Sequence, residues 1–287
     1  MAGVYRGMSQ AMLETQYDAR GSVADFPAEM DTYSRLSAVC YNACAVTRDL
    51  AYGPSQEERI DFFPASTSDA PVFVYFHGGY WRALGRRESA FMVESLVANG
   101  VSVAVVEYAL APAVTLDIIV DQTRRATAYI YENADKFGID LSRLFIGGSS
   151  AGAQLSAMVL STDWASQFGI AEKPVRGALL ASGLYDLEPV SLCAPNAWLN
   201  LDASAVARNS PIHHLPKHQV DILLTWGGLE TDEFKRQSMQ YAKTLQAAEF
   251  TPRIMPVGDR NHFDIIIDLN DPARMLFRTL MQMISES

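Results

Sequence analysis

The segment Leu144-Phe145-Ile146-Gly147-Gly148-Ser149-Ser150-Ala151-Gly152 predicts a strand, a sharp turn and the start of a helix. Its first four residues suit a buried strand, and Ala151–Leu160 continues as a helix. Gly148, Ser150 and Gly152 form a G-x-S-x-G pattern in this strand–turn–helix context. A serine on so sharp a turn takes an unfavourable backbone conformation, and small neighbours let strand and helix approach. We therefore predict that Ser150 is a nucleophile; a serine that only caps the helix is the alternative.

Strand-like and helix-like runs alternate on both sides of this segment. Strands are predicted at Val72–Phe76, Ser102–Glu107, Leu144–Gly147, Gly177–Ala181, Ile222–Trp226 and Arg253–Val257. Helices are predicted at Glu88–Ala98, Leu116–Phe137, Ala151–Leu160, Phe234–Ala247 and Pro272–Ile284. Because short apolar strands separated by helices are typical of parallel sheets, the pattern predicts an α/β fold with a mostly parallel sheet and helices on both faces.

Two regions depart from the alternation, and we interpret residues 1–287 as a single domain that carries both as additions. Residues 1–70 predict two helices and then a hairpin-like pair of strands, at Gln10–Tyr17, Pro27–Cys44, Asp49–Tyr52 and Arg59–Phe63. Residues 189–216 are rich in Pro, Asn, His and Ser and follow no clean period. This second region lies between two predicted strands, where a small cap-like insert over the edge of the sheet would be placed.

The composition is that of an acidic globular protein. Hydrophobic residues make up 49% of the chain, which is enough to form a buried core. Lys and Arg total 23 against 33 Asp and Glu, so the net charge is −10 and the surface repels phosphate groups. We therefore expect neither nucleic acid nor an anionic membrane as a partner.

The amino terminus and the cysteines favour a cytoplasmic location. The first residues lack the basic and apolar regions of a secretory signal, and no apolar run reaches the roughly 18 residues that a membrane span needs. Cys40, Cys44 and Cys193 include no C-x-x-C pair, so we expect no disulfide framework. Cys40 and Cys44 lie one helical turn apart, and without a nearby histidine we prefer core packing to a metal or redox pair.

A glycine turn follows the predicted strand Val72–Phe76. It has the sequence His77-Gly78-Gly79-Tyr80-Trp81. Glycines just beyond a strand let backbone N–H groups point into a site, and acyl transfer needs such donors for the developing oxyanion. The amide of Ala151, directly after Ser150, would complete this oxyanion hole. An ordinary glycine turn followed by two aromatic core residues is the alternative.

His262 is the predicted general base. It follows the last strand, where the carboxyl end of a parallel sheet would present it. His77 belongs to the glycine turn and precedes the serine. The remaining histidines, His213, His214 and His218, invite a metal hypothesis, but Pro216 spoils helical spacing and no carboxylate lies within two residues. We therefore predict no metal site.

Two acids compete for the third position of a Ser–acid–His triad. Glu230 and Asp232 both follow the strand Ile222–Trp226. Asp232, next to Glu233, is suited to the amino terminus of a helix that begins near Phe234. We therefore prefer Glu230 and keep Asp232 as the alternative.

These motifs together resemble α/β-hydrolases of the arylformamidase (kynurenine formamidase) group, which are related to hormone-sensitive-lipase-like esterases. The resemblance spans nearly the whole chain. It is carried by Tyr17-Asp18-Ala19-Arg20, Tyr52-Gly53-Pro54, Asp61-Phe62-Phe63-Pro64, the HGGYW at 77–81, Tyr108-Ala109-Leu110-Ala111-Pro112, GSSAG at 148–152, Glu233-Phe234-Lys235-Arg236-Gln237-Ser238 and Asn261-His262-Phe263. HGGYW is the most specific of these motifs, because the related esterases more often have HGGG.

The resemblance implies an eight-stranded α/β-hydrolase sheet, no cofactor, and a triad of Ser150, Glu230 and His262. It also implies oxyanion donors among the backbone amides of Gly78, Gly79, Tyr80 and Ala151. The sequence departs from the family in two places. The family often has H-S-A-G-G-H around the nucleophile, where this chain has Ser149 before Ser150. Its acid is frequently aspartate, where this chain has Glu230.

The predicted function is hydrolysis of a small substrate through an acyl-enzyme. Tyr80 and Trp81, with Trp226 and Phe263, would form an aromatic pocket that favours a small or aryl substrate over a long polymer; packing of these residues in the core is the equal alternative. An arylformamidase acting on an N-formylkynurenine-type formamide is the first hypothesis, and a carboxylesterase for short-chain or aryl esters is the alternative. An inactive binding module is the third, and it is disfavoured because the serine and histidine are both present. A homodimer is left open.

Overall fold

The computed structural model describes residues 3–171 and 173–286, and its centre is an eight-stranded sheet. The strands are β1 (Thr47–Ala51), β2 (Arg59–Phe63), β3 (Ala70–Phe76), β4 (Ser102–Val106), β5 (Ile139–Ser149), β6 (Gly177–Ala181), β7 (Asp221–Gly227) and β8 (Arg253–Val257). They lie in the order β1-β2-β4-β3-β5-β6-β7-β8. Strand β2 is antiparallel to both of its neighbours and every other pairing is parallel, which confirms the predicted mostly parallel α/β fold.

Thirteen α-helices are found in the described residues. They are α1 (Gln10–Tyr17), α2 (Phe26–Ala43), α3 (Val93–Ala98), α4 (Leu116–Glu132), α5 (Ala134–Phe137), α6 (Ala151–Leu160), α7 (Trp164–Phe168), α8 (Glu188–Ser191), α9 (Asn196–Leu199), α10 (Ala203–Asn209), α11 (Asp232–Ala247), α12 (Asp264–Ile267) and α13 (Met275–Ser285). Short 3₁₀ helices lie at Arg86–Glu88, Pro211–His213 and Asp268–Asn270. No helix among the described residues is long and apolar enough to cross a membrane.

The central strands are apolar on both faces because both faces are covered. All seven residues of β3 are buried, and successive side chains of a strand point to opposite faces. Val72, Val74 and Phe76 therefore join one apolar core, which contains residues of α4 and α6. Phe73 and Tyr75 join the other, which contains residues of α3 and α13. This two-sided burial explains the uninterrupted apolar runs that identify the strands in the sequence.

Two predicted helices are interrupted. The backbone N–H of Ala90 donates to Ser37 Oγ at 3.0 Å, so tertiary contact replaces a helical bond, and only α3 forms within the predicted helix at 88–98. The predicted helix at 116–137 breaks at Asn133, whose side-chain amide donates to Tyr129 O at 2.8 Å. Both differences arise from side-chain hydrogen bonds to the backbone, which compete with helix formation.

One edge of the sheet collects the carboxyl ends of five parallel strands. The pairs Phe76↔Gly148, Ala181↔Thr225 and Gly227↔Val257 lie in register near that edge. The segments that follow β3, β5, β6, β7 and β8 therefore begin side by side, which is where open α/β sheets place their ligands. We call this border the catalytic edge.

The amino-terminal helix and the insert at 189–216 pack against each other. Gln10 Nε2 donates to Leu192 O at 2.7 Å, and Glu14 Oε2 accepts a hydrogen bond from Ala194 N at 2.9 Å. The insert reaches the catalytic edge as well, because Trp198 Nε1 donates to Tyr80 O at 3.0 Å. Both additions to the alternating pattern thus lie over the same part of the sheet.

Candidate active site

Ser150 lies on a strained turn between β5 and α6. Its φ of 58° and ψ of −118° fall outside the regions that non-glycine residues normally occupy, and such a conformation costs about 1–3 kcal/mol. A Cβ built on Gly152 would lie 2.0 Å from Phe76 O, and one on Gly148 would lie 2.4 Å from the Gly152 carbonyl carbon. The two glycines of the G-x-S-x-G pattern are therefore required for close approach of β3, β5 and α6.

Hydrogen bonds hold this turn from both sides. Ser150 N donates to Ala181 O at 2.8 Å, which ties the turn to the end of β6. Ser150 O accepts from Ala153 N and Gln154 N at 3.1 and 3.2 Å. The serine is thus fixed at the catalytic edge, and it lines a cavity there together with His262.

His262 and Glu230 form a buried pair. His262 Nδ1 lies 2.9 Å from Glu230 Oε2, and both side chains are almost completely enclosed. Glu230 Oε1 also accepts hydrogen bonds from Ser182 Oγ and Gly227 N, each at 2.6 Å. Three partners satisfy the buried carboxyl group, which would otherwise be costly to enclose. When Nδ1 carries the proton that Glu230 accepts, Nε2 is left as the acceptor that a general base needs.

Asp232 is remote from this pair. It is the first residue of α11, its side chain is 89% exposed, and its carboxylate lies 3.1 Å from Lys235 Nζ. Of the two acids that the sequence left open, only Glu230 lies beside His262, and its role as the acid of the triad stays a prediction. Glu230 contacts the imidazole, and Asp232 occupies the helix amino terminus, where negative charge is favourable.

Ser182 is a residue of the site that sequence reasoning missed. It directly follows β6, and its φ of 52° directs the hydroxyl to Glu230 Oε1 while its amide donates to Thr225 O at 2.8 Å. The sequence feature that could have identified Ser182 is a small polar residue directly after a predicted parallel strand. Ser182 contacts Glu230 and not the imidazole, so it would act only by holding the Glu230 carboxyl group in place.

The ring of His262 is also held by packing. Phe234, two residues into α11, lies with its ring centroid 4.3 Å from that of His262. Phe263 contacts the same imidazole edge-on at 5.3 Å. Two aromatic contacts and one carboxylate therefore orient the imidazole, as a catalytic base requires.

The backbone of the HGGYW turn passes beside Ser150. A Cβ built on Gly78 would lie 3.5 Å from Ser150 Cβ. Gly79, Tyr80 and Trp81 follow with φ values of 98°, 52° and 54°, three consecutive left-handed conformations. At Gly79 a side chain would meet Ala83 O at 2.1 Å, so only glycine fits. Of the predicted oxyanion donors, Gly78 therefore lies beside Ser150, Gly79 and Tyr80 line the same cavity, and Ala151 follows the serine in the chain, and the role of all four stays a prediction.

The other histidines have structural surroundings. His77 is fully buried and stacks on Tyr108 with centroids 4.1 Å apart, and Tyr108 Oη donates to His77 O at 2.6 Å. His214 Nε2 lies 2.8 Å from Ala207 O. Within residues 3–171 and 173–286, no three His, Cys, Asp or Glu side chains are grouped as metal ligands would be.

A cavity of about 620 Å³ opens over Ser150 and His262. Seven of its lining residues carry aromatic rings, namely Tyr17, Phe26, Tyr33, Tyr75, Tyr80, Trp198 and Phe263. This volume and lining are typical of small-molecule sites. Tyr80 and Phe263 were expected here. The other aromatic residues come from the amino-terminal helices, β3 and the insert, and no local motif marked them.

The expectation that Trp81 binds substrate is wrong. Trp81 is completely buried, its indole Nε1 donates to Gln154 Oε1 at 3.0 Å, and it is not among the residues that line the cavity. The left-handed backbone at Tyr80 and Trp81 places the second ring in the core. Trp226 is also buried and does not line the cavity. The tryptophan ring that the sequence analysis expected from Trp81 at the cavity is supplied by Trp198.

Comparisons with known proteins agree with this architecture. A family model of the α/β hydrolase fold matches residues 73–262. The kynurenine formamidase of Danio rerio is 35% identical, over 99% of this chain and 99% of that protein. The kynurenine formamidase of Salmo salar is 36% identical over 83% of this chain and 82% of that protein.

Solved structures show the same fold at lower identity. A protein from Silicibacter sp. TM1040 superposes with a TM-score of 0.84 at 22% identity, over 94% of this chain and 98% of that one. An esterase from Pyrobaculum calidifontis superposes with a TM-score of 0.69 at 19% identity, over 96% of this chain and 95% of that one.

Proposed function

Since this chain belongs to the kynurenine formamidase family of α/β-hydrolases, we propose that it hydrolyses an aryl formamide of the N-formylkynurenine type to formate and the free aryl amine. The observation that carries the proposal is the placement of Ser150 and His262, the latter paired with Glu230, in one aromatic-walled cavity. A formyl group is the smallest acyl group, so most of the cavity would be filled by the aryl part of the substrate.

In the proposed mechanism, His262 Nε2 takes the proton of Ser150 Oγ as that oxygen attacks the formyl carbon. Backbone amides drawn from Gly78, Gly79, Tyr80 and Ala151 would stabilise the oxyanion, each being worth about 3 kcal/mol of barrier. The imidazolium then protonates the leaving aryl amine, and a formyl ester remains on Ser150.

Water completes the cycle by the same route. His262 deprotonates a water molecule that attacks the formyl ester, and formate leaves as Ser150 Oγ regains its proton. Glu230 accepts the Nδ1 hydrogen bond throughout and stabilises the imidazolium in both halves of the reaction. Ser182 and Gly227 would keep the Glu230 carboxylate in place for this task.

A carboxylesterase for short-chain or aryl esters is the second candidate. It would use every residue of the same mechanism, with an alcohol in place of the amine as the leaving group. The inactive binding module is disfavoured, because Ser150 keeps its strained turn and His262 keeps its carboxylate partner.

The decisive experiment compares rates on N-formylkynurenine and on p-nitrophenyl acetate, with Ser150→Ala as the matched control. We expect formamide hydrolysis with the higher kcat/KM, and loss of both activities in the variant. Ester turnover without formamide turnover would leave the carboxylesterase as the function. Failure of a fluorophosphonate to label Ser150 would contradict a serine hydrolase altogether.

We further propose a cytoplasmic protein with a small-molecule substrate and no nucleic-acid or membrane partner. Cys40, Cys44 and Cys193 are all free thiols, which suits a reducing compartment. The net charge of −10 opposes binding to phosphate surfaces. Fluorescence microscopy of the tagged protein would test the location.

A further inference from the structure

Four charged residues line the same cavity as Ser150 and His262, and the triad uses none of them. They are Glu14, Asp18, Arg20 and Arg82. Two carboxylates and two guanidinium groups at the walls of an aromatic cavity are more than a simple aryl ester would require. Their arrangement therefore bears on which substrates the cavity accepts.

The guanidinium group of Arg82 stacks on an aromatic ring and forms no ion pair with a carboxylate of the described residues. Its Cζ lies 4.7 Å from the centroid of the Trp198 ring. Trp198 is itself fixed by the hydrogen bond from Nε1 to Tyr80 O, at 3.0 Å. Among residues 3–171 and 173–286, no carboxylate lies within 4.0 Å of the Arg82 guanidinium, whereas Arg86 and Arg125 both form close ion pairs. Arg82 therefore presents an oriented positive charge at the cavity wall.

The two carboxylates lie near Tyr80. Its hydroxyl donates to Tyr17 O at 2.7 Å, which places it at the end of α1. Burial raises the pKa of Tyr80 well above its ordinary value, and the charges of Cys193, Asp18 and Glu14 raise it further. Both acids are thus within electrostatic reach of the tyrosine.

Of the two carboxylates, Asp18 is the one with more of its hydrogen-bond acceptor capacity unused. Glu14 has both oxygens engaged, one by Ala194 N and one by Gln10 Nε2, each at 2.9 Å. Asp18 Oδ1 accepts only Gly21 N, at 3.0 Å, and the side chain is exposed. Asp18 is therefore better placed than Glu14 to bind an added cation.

A continuous series of contacts connects the positive and the negative group. Arg82 stacks on Trp198, and the Trp198 ring meets Tyr80 edge-on with centroids 6.4 Å apart. Asp18 directly follows Tyr17, whose carbonyl oxygen accepts the hydrogen bond from Tyr80 Oη. Arg20 takes no part in this series, because its Cζ lies over the ring of Phe26, 5.0 Å from the centroid. Arg82, Trp198, Tyr80 and Asp18 therefore follow one another along the lining of the cavity.

We propose that this surface binds the zwitterionic head of an α-amino acid whose side chain carries the aryl formamide, with the carboxylate on Arg82 and the ammonium group on Asp18. The inference rests on the proposed function, because the head is that of its substrate. A guanidinium group suits a carboxylate because it can donate two parallel hydrogen bonds. The aryl ring would then lie against Tyr80 and Trp198, directed towards Ser150.

The test measures equilibrium binding by titration calorimetry, so it does not depend on turnover. The ligands are L-kynurenine, kynuramine, which lacks the carboxylate, and 4-(2-aminophenyl)-4-oxobutanoic acid, which lacks the ammonium group. We expect wild-type protein to bind L-kynurenine about tenfold more tightly than either analogue. In Arg82→Gln the preference over kynuramine disappears, and in Asp18→Asn the preference over the oxobutanoic acid disappears.

Two further variants make the test specific. Arg82→Lys keeps the charge but not the paired donors, so we expect partial recovery of the carboxylate preference. Arg20→Gln removes a second ring-stacked arginine from the same cavity, and we expect less than a twofold change in any of the three Kd values. An equal effect of Arg20→Gln and Arg82→Gln would overturn the assignment, because it would indicate general attraction by positive charge.

The proposed function and this inference fail in different ways. If wild-type protein hydrolyses N-formylkynurenine but binds L-kynurenine no more tightly than kynuramine, or shows no saturable binding of L-kynurenine, the inference is wrong and the function stands. If the charge preferences appear as expected but no formamide is hydrolysed, the head-group site stands and the proposed function is wrong.

Discussion

The catalytic edge and the cavity wall are built in opposite ways. At the edge, Ser150 and Ser182 have left-handed backbones, and the Glu230 carboxyl group is enclosed beside His262. Each of these features costs folding free energy and depends on a rigid parallel sheet to maintain it. The wall instead is assembled mainly from helices α1 and α2 and the insert at 189–216, joined by contacts between distant parts of the chain, such as Tyr17 with Glu233.

This difference indicates that the edge controls the chemical step and the wall controls substrate binding. Strain at the edge fixes the relative positions of the reacting groups, which determine the rate of the chemical step. Packing at the wall fixes the shape and charge of the cavity, which determine the substrates that are bound. Changes at the edge should therefore lower kcat, and changes at the wall should raise KM.

The largest effect is expected for Ser150→Ala. Removing the nucleophile should lower kcat/KM by on the order of 10⁵-fold or more, because the remaining residues cannot form the acyl-enzyme. Alanine occupies the same strained conformation, so the thermal unfolding midpoint should stay close to that of the wild type. Steady-state kinetics and calorimetry check both statements, and activity above about 1% of the wild type would contradict the assignment.

Glu230→Gln comes next, with an expected loss of about 10⁴-fold in kcat, since the amide cannot stabilise the imidazolium. Asp232→Asn is the matched control, two residues away. It should keep activity within about twofold and cost about 0.5 kcal/mol of unfolding free energy, because it weakens the negative charge at the start of α11. The reverse pattern of activities would make Asp232 the acid.

Ser182→Ala should lower kcat by about tenfold to thirtyfold with little change in KM. The hydroxyl at 2.6 Å from Glu230 Oε1 is one of three contacts to that carboxyl group, so its removal loosens the pair without abolishing it. Steady-state kinetics measure this split between kcat and KM. A purely structural role of Ser182 would lower the thermal unfolding midpoint and leave kcat in place.

Trp198→Ala tests the wall. Removing the indole takes away an aromatic surface of the cavity and the support of Arg82, so KM for N-formylkynurenine should rise about tenfold while kcat changes by less than threefold. A substitution at the edge should show the opposite split. Initial-rate kinetics over a wide substrate range would separate the two, and a loss confined to kcat would remove the contrast between the regions.

The smallest effect concerns Asp264, the first residue of α12 and two residues after His262. Burial raises the pKa of its carboxyl group from 3.8 to about 6, and the hydrogen bond from Asn261 N offsets only part of this rise. The folded state therefore holds a proton that the unfolded state releases between about pH 4 and pH 6. Unfolding free energy should fall as the pH rises through this window, since the folded carboxylate must then be ionised at a cost.

Asp264→Asn removes this cost and keeps an acceptor for Asn261 N. We expect about 1 kcal/mol more unfolding free energy at pH 7 after allowance for partial exposure, and little change at pH 4. Urea denaturation at the two pH values measures the difference. Equal stabilisation at both values would mean that the ionisation of Asp264 is not responsible.

Much of the edge could be predicted from the sequence because its signals are local. The G-x-S-x-G spacing located Ser150, and the position of His262 after the last strand set it apart from the other histidines. Glu230 and Asp232 could only be ranked, because two acids lie within three residues and the start of α11 decides between them. Ser182 carries no motif, and its role depends on the pairing of β6 with β7.

The wall could not be predicted in the same way. Tyr17 and Trp198 reach the cavity through packing between segments that are far apart in the chain, which no local period or motif encodes. Trp81 shows the converse, because a conspicuous motif residue is turned into the core by the left-handed backbone that precedes it. Side-chain direction in a strained turn requires coordinates, whereas the presence of the turn is evident from its glycines.

The contacts of helix α1 determine when, during translation, this helix can reach its final position. Tyr17 Oη donates to Glu233 Oε2 at 3.0 Å across 216 positions of the chain, and Thr231 Oγ1 donates to Gln16 O at 2.6 Å. A polypeptide leaving the ribosome therefore exposes one of its first helices without its partner until most of translation is finished. Hydrolytic competence should arrive only after His262 has been synthesised, and chaperones would have access to helix α1 during that time.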